Sequence, residues 1–175
     1  MSSPPTQDSF DEFYRTTSRR VVHHLYAMTG NLAEAQDCVQ EAYARAWQRW
    51  ATLDAEGVPE AWVRTVARRI AVSRWRRART AARHLLTHSS EPTSPAPADE
   101  HLVLVAALRQ IPEAMRHAVV LHHLVGLTVA EVAAETGVAE GTVKARLHRG
   151  RAALATVIGP LDPNESRDFV EAHHG

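Results

Sequence analysis

The chain has one cysteine, Cys38, in 175 residues, so it can form no internal disulfide and cannot build a zinc site of the multi-cysteine kind. Aromatics are scarce at 6%, and Val, Ile and Thr do not alternate with polar residues in runs, which leaves little from which to make a sheet. Long apolar runs are missing as well. Arg, His or Glu interrupts each of them short of the roughly 18 residues a membrane-spanning helix needs, so no membrane association is expected. The opening stretch, MSSPPTQDSFDEF, lacks a basic start followed by an apolar block, so no secretory signal is expected and the expected compartment is the cytoplasm. What is present, 45% hydrophobic and 23% charged residues, is an ordinary soluble composition large enough for one domain or two small ones. The expected fold class is all-α.

Charge of one sign is not in excess overall, with 20 basic and 20 acidic residues, but its distribution is uneven. Val58 to His84 holds eight arginines against Glu60 alone, and Thr136 to Ile158 holds four basic residues against Glu140 alone. The three remaining stretches are all acidic on balance. Two basic islands in an acidic background are the footprint of two anion-facing surfaces, as in a nucleic-acid binder; solvated helix faces are the alternative.

The periodicity predicts a helix from Phe10 to Met28, with Phe10, Phe13, Val21, Leu25 and Met28 on one face and Gly30 at its end. A second, capped by Asn31, runs from Leu32 to Trp50 with Leu32, Ala35, Val39, Ala42 and Ala46 as its apolar stripe. Glu34, Asp37, Glu41, Arg45 and Gln48 line the opposite side. Ala51 to Val58 reads as a polar loop, and Pro59 opens a helix that runs to about Arg79. On that helix Trp62, Val63, Val66, Ala67 and Ile70 gather on one side. Arg64, Arg68, Arg69, Arg76, Arg79 and Arg83 spread over an arc of roughly 140° on the other. Trp75 falls among these arginines. It either packs on a neighbouring helix, as single tryptophans commonly do, or stacks on exposed bases while the guanidinium groups hold phosphate.

From Thr87 to Ala98 the sequence turns to Pro, Ser, Thr and Ala, the composition of a flexible linker. Beyond it come helices from about Asp99 to Gln110 and from Pro112 to Val125. Thr128 with Glu131 then matches a capping box, Gly137 ends a short helix, and a new helix resumes after a tight turn with Val143, Leu147, Leu154 and Val157 inside. Two helices joined this way make a helix-turn-helix whose second helix exposes Thr142, Lys144, Arg146, His148 and Arg149, where base contacts occur in a major groove. An ordinary helical hairpin is the alternative. Ala139 occupies the cap of that second helix, where Ser, Thr, Asp or Asn would be about 1 kcal/mol better.

Taken together, AEAQDCVQEAYARAW, PEAWVRTVARRIAVSRWRR and GLTVAEVAAETGVAEGTVKARLHRGRAAL resemble the extracytoplasmic-function sigma factors of bacterial RNA polymerase, over Phe10 to Leu154. The resemblance implies region 2 over residues 8–84, a flexible linker over 85–98, region 4 over 99–158 and an acidic tail over 159–175. It implies that Asp37, Gln40 and Glu41 dock on the clamp helices of the polymerase beta-prime subunit, and that region 4 meets the beta flap. The loop after the docking helix, with Asp54, would capture an extruded minus-10 base. Arg64, Arg68, Arg69, Trp75, Arg76 and Arg77 would hold minus-10 DNA, and Thr142, Lys144, Arg146, His148 and Arg149 would read the minus-35 element. Core RNA polymerase and promoter DNA are the implied partners, an anti-sigma factor is a common further one, and no cofactor or metal is implied. The chain departs from the family pattern at Arg69 and Ser73, where Asn and Asp are usual, and at Ala139, where Ser is usual.

Two other readings compete. A stand-alone helix-turn-helix regulator would leave the arginine helix and the acidic stripe unused. A metal-dependent hydrolase built on the 11 histidines is disfavoured, because the pairs His23–His24, His122–His123 and His173–His174 point about 100° apart on a helix.

Overall fold

The computed structural model describes residues 7–84 and 100–158, with side chains omitted at 82–84 and 100–101. The linker expected at 85–98, the tail at 159–175 and the side chain of Arg83 lie outside the described residues. Every regular element among those described is helical, and the chain divides into two compact units, 1–97 and 98–175.

In the first unit α1 (Gln7–Thr29), α2 (Leu32–Trp47), α3 (Trp50–Glu56) and α4 (Pro59–His84) form a bundle in which α2 packs on both α1 and α4. Gly30, at φ 72°, takes the left-handed conformation that stops α1. Asn31 caps α2, its side chain accepting from the Glu34 amide at 3.0 Å. The core is made by Val21 and Leu25 of α1, Ala35, Cys38, Val39, Ala42 and Ala46 of α2, and Val63, Ala67, Ile70 and Ala71 of α4. The many alanines let the helices approach closely. At one end Phe10, Phe13, Tyr43 and Trp50 pack as an aromatic cluster with ring centroids 5.0 to 6.4 Å apart, in the range where aromatic pairs attract. Their polar handles are satisfied: Tyr43 Oη lies 2.6 Å from Thr17 Oγ1, and Trp50 Nε1 donates to Ser9 Oγ at 2.9 Å.

Four sequence expectations change here. The helix expected over Leu32 to Trp50 ends at Trp47, and Trp50 opens the next element. The stretch 51–58 is not a loop for most of its length but belongs to the short helix α3. Trp50 and Leu53, three residues apart, are both buried, Leu53 to 1% exposure, and this shared anchorage winds the segment. Gly57, at φ 71°, ends it. Leu32 shares the phase of the α2 stripe yet is 47% exposed, because it is the first residue of the helix, at the corner with α1. Finally, α4 continues to His84, past the Arg79 expected from sequence.

In the second unit α5 (Glu100–Gln110), α6 (Glu113–Val119), α7 (Val129–Thr136) and α8 (Glu140–Ile158) surround Val105, Leu108, Ile111, Val119, Leu121, Val132, Val143, Leu147 and Leu154. The helix expected over 112–125 is α6 followed by a π-helical turn, Val120–Leu124. Leu121 O then accepts from the Leu127 amide at 3.0 Å, and His122 Nδ1 lies 2.7 Å from Leu127 O, which fixes the approach to α7. Helix α8 crosses α6 at Gly150, where a Cβ would fall 2.8 Å from Val119 Cγ2; glycine is what permits the contact. Val157, expected inside, is 39% exposed, whereas Leu154, three residues earlier, is 6% exposed.

Candidate nucleic-acid interface

Helix α4 sorts its arginines by phase. Arg69, Arg76, Arg77 and Arg79 are exposed and Arg68 is half-buried. Arg64 departs from expectation: it is buried, at 7% exposure, and its Nη1 donates to Glu60 Oε1 at 3.1 Å. Glu60 Oε2 in turn accepts from Arg20 of α1 at 2.9 Å. Arg64 stands one position round the helix from buried Val63, at the margin of the face that packs into the bundle, so its guanidinium ties α4 into the unit instead of facing solvent.

Trp75 is 56% exposed, so no neighbouring helix buries it among the described residues. Arg79, one turn on, sets its guanidinium carbon 5.2 Å from the ring centroid, a cation–π contact that steadies the indole while leaving it accessible. The exposed side of α4 therefore offers an aromatic plane among guanidinium groups, a combination able to stack a base and neutralise phosphates. Asp54 is exposed on α3.

On α2, Asp37 and Gln40 are exposed and Glu41 is half-buried. Glu41 is held from two sides. Arg45, one turn along α2, pairs with Oε1, and Arg74 of α4 reaches across to donate to Oε2 at 2.9 Å. Arg74 Nη1 also lies 3.9 Å from Asp37 Oδ2. Hydrogen bonding to Glu41 and the surrounding negative charge raise the Arg74 pKa still further above its ordinary value. Arg74 is absent from the residues that the sequence singles out, although a signal is present: it lies four residues beyond Ile70 and seven beyond Ala67, in phase with the apolar side of α4.

In the second unit the capping box is complete. Thr128 Oγ1 accepts from the Glu131 amide at 3.2 Å, and Glu131 Oε2 accepts from the Thr128 amide at 2.7 Å. Gly137, at φ 69°, closes α7, and α8 begins shortly after, with Ala139 O accepting from the amides of Thr142 and Val143. Buried Val132, Val143 and Leu147 lock α7 and α8 together. That leaves Thr142, Lys144, His148 and Arg149 exposed and Arg146 half-buried on the first half of α8. All five side chains expected at this surface thus lie on one short helical stretch.

Among the described residues no three His, Cys, Asp or Glu side chains gather where they could hold a metal ion, and no helix is long and apolar enough to cross a membrane.

Comparison with known proteins follows the same two-unit division. Residues 13–81 match the Sigma-70 region 2 family and residues 101–154 match Sigma-70, region 4. The chain is 30% identical to the RNA polymerase sigma-E factor of Streptomyces coelicolor over 152 residues, 83% of each protein. It is 33% identical to the ECF RNA polymerase sigma factor SigL of Mycobacterium tuberculosis over 141 residues, 77% of this chain and 80% of that one. In fold it is similar to the sigma factor RpoE of Bartonella quintana, crystallised with the anti-sigma factor NepR: TM-score 0.76, 21% identity, 86% of this chain and 96% of the other.

Proposed function

The chain belongs to the extracytoplasmic-function sigma factors, and from that membership we propose how its surfaces divide the work. It is an alternative sigma factor that directs core RNA polymerase to specific promoters. Sigma factors are initiation factors, not enzymes, and this chain acts by binding alone, in the cytoplasm, without a cofactor of its own.

The acidic side of α2, with Asp37, Gln40 and Glu41, docks on the clamp helices of the beta-prime subunit. The outer side of α4 holds the minus-10 region through Arg68, Arg69, Arg76 and Arg77, with Trp75 stacking on unpaired bases and Asp54 of α3 beside an extruded one. Arg64, being buried against Glu60, supports this surface from beneath. The first half of α8 reads the minus-35 element through Thr142, Lys144, Arg146, His148 and Arg149, and the second unit rests on the beta flap. Residues 8–84 and 99–158 are the two working regions and 85–98 their tether. An anti-sigma factor covering the same faces would switch the protein off.

The observation that carries this reading is the exposed Trp75 amid guanidinium groups on a chain that also bears a capped, basic helix-turn-helix. A duplex-binding regulator needs only the second; melting needs a surface that rewards unpaired bases, since extrusion costs a few kcal/mol per base. Two weak DNA-binding surfaces on one chain become effective when polymerase holds both in place. Run-off transcription with core polymerase on a genomic promoter library should give promoter-specific transcripts that need the added protein and fade with the Gln40→Ala, Glu41→Ala double variant. Specific duplex binding without polymerase, and no transcripts, would instead make it a stand-alone regulator.

A further inference from the structure

Arg74 stands apart from the other arginines of α4 in phase and in partners. It follows Ala67 by seven residues and Ile70 by four, so it leaves α4 on the side that packs against α2, just beyond the buried core. There it meets the two carboxylates placed on the docking face. Its Nη2 donates to Glu41 Oε2 at 2.9 Å and its Nη1 lies 3.9 Å from Asp37 Oδ2. Arg45 occupies the other oxygen of Glu41.

An isolated α2 would not hold this arrangement. Asp37 and Glu41 are four residues apart, where like charges repel on a helix surface. A free glutamate side chain also samples several rotamers, and ordering it on binding costs affinity. A planar guanidinium set between the two carboxylates offsets the repulsion, and gripping one Glu41 oxygen from across the helix interface while Arg45 grips the other selects a single carboxylate orientation. Each oxygen keeps lone-pair capacity for a partner's donor. Exposed ion pairs of this kind add little to folding stability, so the effect to look for lies in binding.

We infer that Arg74 is a positioning residue for polymerase docking: it fixes Glu41, and with it Asp37, in the geometry that the clamp helices receive, without itself touching the polymerase. This rests on the docking reading of α2 given above. The test is a double-mutant cycle on the affinity of the full chain for core RNA polymerase, using Arg74→Ala, Arg74→Lys and Glu41→Gln singly and Arg74→Ala with Glu41→Gln together. Arg74→Ala should weaken binding about tenfold, through the ordering cost of a released side chain and the restored repulsion between Asp37 and Glu41. Arg74→Lys, a cation without the fork, should fall between. In the Glu41→Gln background Arg74→Ala should change affinity less than about twofold. Equal losses in both backgrounds would overturn the inference by showing that Arg74 makes its own contact, and unchanged or tighter binding of Arg74→Ala would overturn it too. If Glu41→Gln itself has no effect, the docking reading falls and takes this inference with it, whereas the other failures leave docking intact. Should Arg74→Ala not fold, Arg74→Lys, with and without Glu41→Gln, reads the same cycle.

Discussion

Tyr43 shows how the small core of the first unit is tied together at single side chains. Its ring sits among Phe10, Phe13 and Tyr14, and its hydroxyl is 2.6 Å from that of Thr17. Burial pushes its pKa up to about 12 from 10, only partly countered by the hydrogen bond with Thr17. The unfolded chain therefore loses this proton near pH 10 while the folded chain keeps it. The contribution is fully present below pH 10 and is lost as pH rises toward 12, at roughly 1.4 kcal/mol per pH unit. Urea denaturation of wild type and Tyr43→Phe across this range should show the wild type losing stability more steeply, and ultraviolet titration should show a late tyrosinate step absent from the variant.

Among the helices, those with a long regular stripe are legible in the sequence. Val39, Ala42 and Ala46 repeat at three and four residues, and burial follows that repeat. The helix-turn-helix is legible for another reason: Thr128, Glu131 and Gly137 are local chemistry that acts the same way in any fold. Element α3 is not, because seven residues with two anchors carry no periodic signal and only the packing of Trp50 and Leu53 winds them. Of Arg64 and Trp75, only the first departs from the sequence. Charge puts Arg64 outside, whereas the packed bundle covers it, and Trp75, which the sequence leaves open between core and surface, is 56% exposed. From Ala139 alone the sequence predicts a weak start to α8, and that expectation yields a prediction for this element. Ala139→Ser should add a side-chain acceptor for the Thr142 amide beside the Ala139 carbonyl that already accepts from it, strengthening the helix start by about 1 kcal/mol. Amide exchange at Val143 and Lys144 in the full chain should slow about fivefold, with exchange in α2 unchanged.

At the scale of the whole molecule, zero formal charge conceals the property that matters, which is where each sign is carried. Glu60 and Glu41 pair with Arg20 and Arg74 across helix interfaces and with Arg64 and Arg45 along their own helices, and Asp37 lies near Arg74. Arg69, Arg76, Arg77 and Arg79 of α4 face solvent, and the first three are among those proposed above to hold DNA. Binding of the full chain to a single-stranded oligonucleotide should accordingly depend on salt. Replacing both Arg76 and Arg77 by Ala should flatten the slope of log affinity against log salt by about 1.4, or roughly 0.7 for each phosphate no longer neutralised. Replacing Arg64 should leave the slope unchanged, provided the fold survives.

Cys38 has no exposed surface, and burial pushes its thiol up in pKa, so the native protein shows reagents almost no thiolate. That makes the molecule a ready vehicle for spectroscopy. A cysteine introduced at an exposed position away from the docking face, such as Asp11 of α1, and another at Thr156, could be modified with dyes or spin labels without first removing the natural one. The separation between the two units could then be followed as a distribution, before and after polymerase engages them, in a chain whose interior has not been altered.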